Sequence, residues 1–248
     1  MRKRLQKLRR MQEKHGYFAT ARYISSWLGR ALRTGRLQPP NTIIDNLAEW
    51  SNYDWSARGE EWTQDALWKD SLVKEVLEPN VPLEANILEI GPGAGRWTEY
   101  LVRRAEHLTL VDLTPECIRL CKKRFGDFQN VSYFVNDGKD LSFIPGQSID
   151  RIWSFDVFVH IQARDIENYV KQFSTILAPG GRGIVHHSGK GALHEGWRSD
   201  MTADQMVIFC RKYGLSVIEQ FNSWGDGIHH VRDSDVVTIF EKPTTAVV

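Results

Sequence analysis

The sequence predicts an α/β fold built on a doubly wound, mostly parallel sheet of seven strands, preceded by a helical N-terminal extension. Three observations carry this prediction. From residue 83 onward, short apolar runs alternate with amphipathic stretches, the pattern of strand and crossover helix. The first run, Ile87, Leu88 and Ile90, opens directly onto Gly91-x-Gly93-x-Gly95, a strand-to-helix turn that lets backbone approach a ligand closely. The last two strand candidates have no helix between them, so they are expected to pair as an antiparallel hairpin.

Residues 1–40 form a basic extension of one or two helices, with Leu5, Leu8 and Met11 on one face and Tyr23, Trp27, Leu28 and Leu32 continuing an apolar stripe. Pro39 and Pro40 end it, since successive prolines remove backbone donors and push the preceding residue out of helical geometry. Residues 41–82 read as a helical lid, rich in aromatics: Trp50, Tyr53, Trp55, Trp62 and Trp68. The remaining domain, 83–248, carries strand candidates at 86–90, 108–112, 131–135, 149–154, 182–187, 215–221 and 235–241. Helices are expected at 94–105, 115–125, 164–177 and 202–213.

Composition bounds the class. A chain of 248 residues is long enough for one well-buried core plus an appendage. The net charge of +1 hides an asymmetry. Residues 1–36 hold eleven Lys and Arg against Glu13 alone, which leaves about −9 on the rest. Three cysteines without a Cys-x-x-Cys pair argue against a disulfide framework and for a reducing, cytoplasmic setting. No apolar stretch is long enough for a membrane span, and the N-terminus lacks the apolar core of a secretory signal.

The glycine spacing departs from the Gly-x-Gly-x-x-Gly of dinucleotide sites, because Arg96 stands where the last glycine belongs. Glu89, two residues before the first glycine, favours a ligand carrying positive charge over a pyrophosphate. Asp112 closes the second strand about twenty residues after the loop, where an acid accepts hydrogen bonds from ribose hydroxyls. It equally suits the start of the helix at Pro115. Asn136-Asp137-Gly138 follows the third strand and doubles as an ordinary turn sequence. Ser154-Phe155-Asp156 ends the fourth strand, with His160 close behind. His186-His187 ends the fifth, and adjacent strand residues face opposite sides, so one of the pair should face the cleft. Two further stretches, Gly196 to Thr202 and Trp224 to His230, mix tryptophan, glycine and polar residues in a way that suits carbohydrate.

Taken together, these motifs resemble the class I S-adenosylmethionine (SAM) dependent methyltransferases from Glu84 to Pro243. The resemblance implies a Rossmann-like seven-stranded sheet whose last strand is reversed, and SAM as cofactor. It implies that Glu89, Gly91, Gly93 and Gly95 surround the methionine part. Asp112 and Leu113 then meet the ribose, Asp137 and Gly138 the adenine, and Ser154 and Phe155 underlie the reacting end. Within that superfamily the chain looks like bacterial sugar or polysaccharide O-methyltransferases, which implies a hydroxyl acceptor on a small molecule or glycan. His186 or His187, and after them His160, are the candidate bases. Asp156 is expected to orient the acceptor, and as a conceivable ligand of a divalent metal it leaves metal assistance open. Trp55 and Trp62 are lid candidates. The basic N-terminus is expected to contact an anionic membrane or a second copy of the chain in a homo-oligomer. RNA binding, or a binding module without catalysis, ranks below these, because the rest of the chain is acidic and carries no named RNA module.

Overall fold

The computed structural model describes residues 41–191, 198–225 and 227–244. The basic extension 1–40, together with Gly196, Trp197 and Asp226, lies outside the described residues. Seven strands form the main sheet: β1 (Ala85–Ile90), β2 (Ala105–Asp112), β3 (Val131–Val135), β4 (Ile149–Phe158), β5 (Leu177–Ser188), β6 (Ser216–Phe221) and β9 (Asp235–Glu241). A two-stranded ribbon, β7 (Ser223–Trp224) and β8 (His229–His230), sits in the connection before β9.

The strand order is β3-β2-β1-β4-β5-β9-β6. The first five strands pair in parallel, and β9 runs antiparallel to both β5 and β6. The order reverses between β1 and β4, so a crevice opens beyond the carboxyl ends of those two strands. The hairpin and the reversed strand are as the sequence predicts. Successive residues of β1 feed opposite layers: Ile87 packs with Trp68, Leu72, Trp97 and Trp153, while Leu88 packs with Ile152, Phe158, Phe173 and Phe240.

The helices begin where their caps stand. In α1 (Ile43–Trp50), Thr42 and Asp45 form a reciprocal capping box. Asp65 caps α2 (Ala66–Ser71), which runs on through a π-helical stretch at Leu72–Leu77. The 94–105 helix contracts to α3 (Thr98–Leu101), because Gly91, Gly93 and Gly95 take positive φ values of 71°, 57° and 88° that a right-handed helix cannot contain. Thr114 caps α4 (Pro115–Phe125), with Pro115 in its first turn and Lys122, Lys123 and Arg124 in its last. α5 (Ala163–Ile176) and α6 (Ala203–Lys212) follow the predicted spans within a residue or two, and Thr202 and Gln205 box the latter.

The 41–82 segment is less helical than its pattern suggests. Between α1 and α2 it makes two 3₁₀ turns, Trp55–Ala57 and Glu60–Trp62, separated by Arg58 and Gly59 in left-handed conformation. This cap lies over the crevice.

Candidate active site

The crevice is a cavity of about 610 Å³, within the range of small-molecule sites. Its floor comes from β1 and the glycine loop (Ile90, Gly91, Gly93), from the end of β2 (Val111, Asp112, Leu113) and from Asn136 and Gly138 after β3. Its far rim holds Phe155, Asp156, Val157 and His160 after β4, with His186 of β5 and Asp235 of β9. The cap supplies Trp50, Tyr53, Trp55 and Trp62.

The glycines are shaped by their neighbours. A Cβ on Gly91 would stand 2.5 Å from Val157 Cγ2, and one on Gly93 would stand 2.7 Å from the Trp55 ring. Either contact is impossible without movement. Gly95 faces Phe125 of α4 instead and does not line the cavity. Gly93 N–H donates to Asp112 Oδ2 at 3.3 Å, and Thr114 donates its N–H and hydroxyl to Oδ1 at 2.8 and 2.9 Å. Asp112 therefore braces the loop and the α4 cap while a carboxylate's remaining lone pairs stay available. Burial pushes its pKa up to about 6, against those hydrogen bonds.

Besides Gly95, three expected cofactor contacts sit elsewhere. Glu89 is buried beneath the loop, its Oε2 accepting the Thr98 hydroxyl at 2.7 Å, and it does not line the cavity. As an inward residue of a strand covered on both faces, it is enclosed by α3 rather than turned to the ligand; burial pushes its pKa up to about 8. Asp137 is exposed and folds into its own turn, accepting from the N–H groups of Lys139 and Asp140, so Asn136 and Gly138 take the cavity positions on either side of it. Ser154 donates to Ile90 carbonyl oxygen at 2.9 Å and ties β4 to β1.

At the far rim, β4 breaks register between Ser154 and Phe158, and Asp156 adopts φ 62°, a left-handed conformation that aspartate tolerates better than most residues. The bulge turns its carboxylate between Arg96 and His186. Asp156 Oδ1 lies 3.1 Å from His186 Nδ1, and Oδ2 pairs with Arg96 Nη2. On the other side, His186 Nε2 stands 3.6 Å from Asp235 Oδ2, and Arg198 Nη2 holds that same oxygen at 2.8 Å. His186 thus stands between two carboxylates, each of which meets an arginine: Arg96 at Asp156 and Arg198 at Asp235. Burial pulls the His186 pKa down, but hydrogen bonding to Asp156 and the two carboxylate charges outweigh it and leave it raised. Arg96 and His186 overcome burial to hold Asp156 well below the usual carboxylate range.

His187 points the other way. Its Nδ1–H donates to Ser188 carbonyl oxygen at 2.8 Å and its Nε2 accepts from the Thr238 hydroxyl at 2.7 Å, so burial depresses its pKa to about 4 and keeps it neutral. It is a sheet residue, not a candidate base. His160 lines the cavity with its ring 5.2 Å from Trp50. Trp224 is buried against Trp68, 5.6 Å away, and its indole N–H donates to Ser71 Oγ. Among the described residues of the Trp224 to His230 stretch, none lines the cavity; the cap tryptophans do.

Sequence reasoning missed Arg96 and Asp235; Arg198 stood within the Gly196 to Thr202 stretch and lines the cavity. Arg96 was visible only as the residue that spoils a dinucleotide fingerprint. Asp235 meets His186 only once β9 lies beside β5, and Arg198 in turn pairs with Asp235. Among the described residues, no group of three or more His, Cys, Asp and Glu is placed to hold a metal ion.

The donor set fits SAM. Six carboxylates line the cavity against four guanidinium groups, which suits a cationic ligand, and the glycine cradle has no room for side chains. Asp112 stands where a ribose needs an acceptor.

Comparison with known proteins agrees. Residues 87–181 match the family model described as a methyltransferase domain. The demethylmenaquinone methyltransferase of Tropheryma whipplei (strain Twist) is 30% identical over 122 residues, 49% of this chain and 48% of that one. Nodulation protein S of Rhizobium tropici is 29% identical over 143 residues, 57% and 58% of the two chains. The chain thus spans about half the length of the curated relatives it matches. Among solved structures, the N-methyltransferase NodS from Bradyrhizobium japonicum WM9, in complex with S-adenosyl-L-homocysteine, shares the fold. Its TM-score is 0.59 at 20% identity, over 82% of this chain and 98% of that one. Glycine cradle, strand-end acid, reversed last strand and sequence match converge: residues 87–181 match a methyltransferase domain, and the seven-stranded sheet has the Rossmann-like fold of solved SAM-dependent methyltransferases.

Proposed function

We propose that the protein is a SAM-dependent O-methyltransferase acting on a hydroxyl of a small molecule or glycan, with a sugar hydroxyl as the favoured acceptor. The observation that carries this reading is the Asp156–His186 pair on the cavity rim. Asp156 meets His186 Nδ1 with both its backbone N–H, which donates at 3.2 Å, and its carboxylate Oδ1 at 3.1 Å, while Asp235 Oδ2 stands 3.6 Å from Nε2. The ring is thus held on the cavity rim between two carboxylates that stabilise the imidazolium formed when it takes the acceptor's proton.

SAM, when bound, supplies a methyl group already activated by its sulfonium. The residues supply the rest. Asp112 and Gly138 hold the nucleoside end; Gly91 and Gly93 permit close approach; Phe155 and Val157 wall the reacting end against water. His186 takes the hydroxyl proton, and Asp235, steadied by Arg198, faces the imidazolium that results.

The sugar preference rests on the cap. Trp50, Tyr53, Trp55 and Trp62 form a continuous aromatic wall with neighbouring ring centroids 5.0 to 6.1 Å apart, and Glu61 and Gln64 stand beside it. Aromatic faces stack on sugar rings, while polar neighbours read hydroxyls. The basic residues 1–36 extend the proposal to contact with an anionic membrane or a second copy of the chain, and no helix among the described residues is long and apolar enough to cross a membrane.

The test is a methyl-transfer assay with labelled SAM over sugars, glycans, phenols and amines. Methylated sugar, and a loss of about 10²- to 10⁴-fold in kcat for His186→Ala with SAM affinity retained, support the reading. Methyl transfer to amines alone, or full activity in His186→Ala, overturns it.

A further inference from the structure

We infer that Arg96 is a positioning residue that couples the seating of the cap to the Asp156–His186 pair. The inference rests on the reading of that pair as the acceptor-side machinery. Arg96 follows the last glycine of the loop and is 4% exposed. One arm of its guanidinium donates to the Gly59 carbonyl of the cap at 3.2 Å, and the other pairs with Asp156. The same group lies 4.7 Å from the Trp97 ring centre and 5.9 Å from that of Trp62, which belongs to the cap. A planar, rigid fork thus spans three parts of the chain: glycine loop, cap and β4 bulge.

Each end of the fork meets a stretch of left-handed backbone. Gly59 and Arg58 occupy successive left-handed conformations between two single 3₁₀ turns, and Asp156 occupies another at the bulge. Among the described residues, Arg96 and His186 are the side chains that ion-pair with the Asp156 carboxylate. When the cap lifts, Arg96 loses the Gly59 carbonyl and the cover of Trp62, and water reaches the guanidinium. Its attraction for Asp156 falls as the local dielectric rises, and the grip of Asp156 on His186 Nδ1 falls with it. The base is therefore oriented when the cap is closed, which ties proton removal to an occupied, dry cavity. Coupling of this kind is reciprocal: removing the Asp156 charge should loosen the cap through Arg96.

The readout is tryptic cleavage of the full-length protein after the exposed Arg58, followed by mass spectrometry and normalised to cleavage after Lys171 on α5. Arg96→Gln and Asp156→Asn should each speed cleavage after Arg58 about tenfold, the scale of losing one charge-assisted hydrogen bond. Arg96→Lys should fall between wild type and Arg96→Gln, because an ammonium keeps the charge but lacks the fork. In the methyl-transfer assay, Arg96→Lys should lower kcat and leave the SAM Kd within about threefold, with partial rescue relative to Arg96→Gln. If Arg96→Gln does not fold, Asp156→Asn alone decides the coupling. Unchanged cleavage in whichever of the two folds overturns the inference. A wrong acceptor assignment appears separately, as full activity in His186→Ala, and leaves the cleavage result standing.

Discussion

His186 and His187 are chemically identical neighbours whose environments give them opposite chemistry. His186 lies between two carboxylates, which hold its pKa above the ordinary histidine value. A base works in its neutral form, so kcat/KM should rise with pH through an apparent pKa above 6.5. In Asp235→Asn that midpoint should move down, because one stabilising charge on the imidazolium is gone; an unshifted pH–rate profile would count against Asp235 in this role. His187 is held neutral by burial and by its bonds to Ser188 and Thr238. His187→Ala should cost about 1–3 kcal/mol in urea unfolding and leave SAM affinity unchanged. Glu89 offers a test by linkage. Its folded pKa of about 8 lies above the reference value of 4.5, so the native state binds the extra proton between them. Its contribution to stability is full below about 4.5 and is lost as pH rises toward 8. Glu89→Gln should remove that slope, which amounts to about 1.4 kcal/mol per pH unit in denaturation curves. The identity of these acids and histidines is plain in the sequence. Whether each faces ligand or core depends on which helix covers it, as α3 covers Glu89.

Among the elements, the glycine loop was the most legible, because its spacing answers to a local requirement for positive φ. Gly91→Ala should destabilise the protein by about 1–3 kcal/mol and weaken SAM binding, since it combines left-handed strain with a clash against Val157. Calorimetry with the Gly91→Ala, Val157→Ala double variant separates the two: removing the valine relieves the clash and leaves the strain. The ends of α4 and β3 were equally readable, α4 from Thr114, Pro115 and its basic last turn, β3 from its run of strand formers. The helix after the loop was overread, because apolar spacing cannot register three successive alternate glycines taking left-handed turns. The cap was overread for a similar reason. Its aromatic run suggested a helical lid, whereas Trp55 and Trp62 sit on two 3₁₀ turns and, with Trp50 and Tyr53, pack on one another and line the cavity.

The whole molecule joins an acidic methyltransferase domain to a strongly basic leading segment. Residues 1–36 carry about +10 and the remainder about −9. Removing residues 1–36 should abolish binding to anionic vesicles and leave methyl transfer to a soluble acceptor intact. In the full-length protein that binding should weaken steeply as salt rises past the Debye regime, near 0.1 M. Retained vesicle binding after truncation, in a flotation assay, removes the membrane proposal. The alternation of strands and helices, the glycine loop and the strand-end acids are local in the chain, and local periodicity, turn chemistry and spacing were enough to point to the cavity at the switch point between β1 and β4. The acceptor rim could not be read that way. Arg96, Asp156, His186, Arg198 and Asp235 come from five separate stretches and acquire a function only as neighbours. Packing of β9 against β5, the bulge in β4 and the seating of the cap decide which of them become neighbours and which histidine meets the cavity, and those depend on burial and distance, which no run of residues encodes alone.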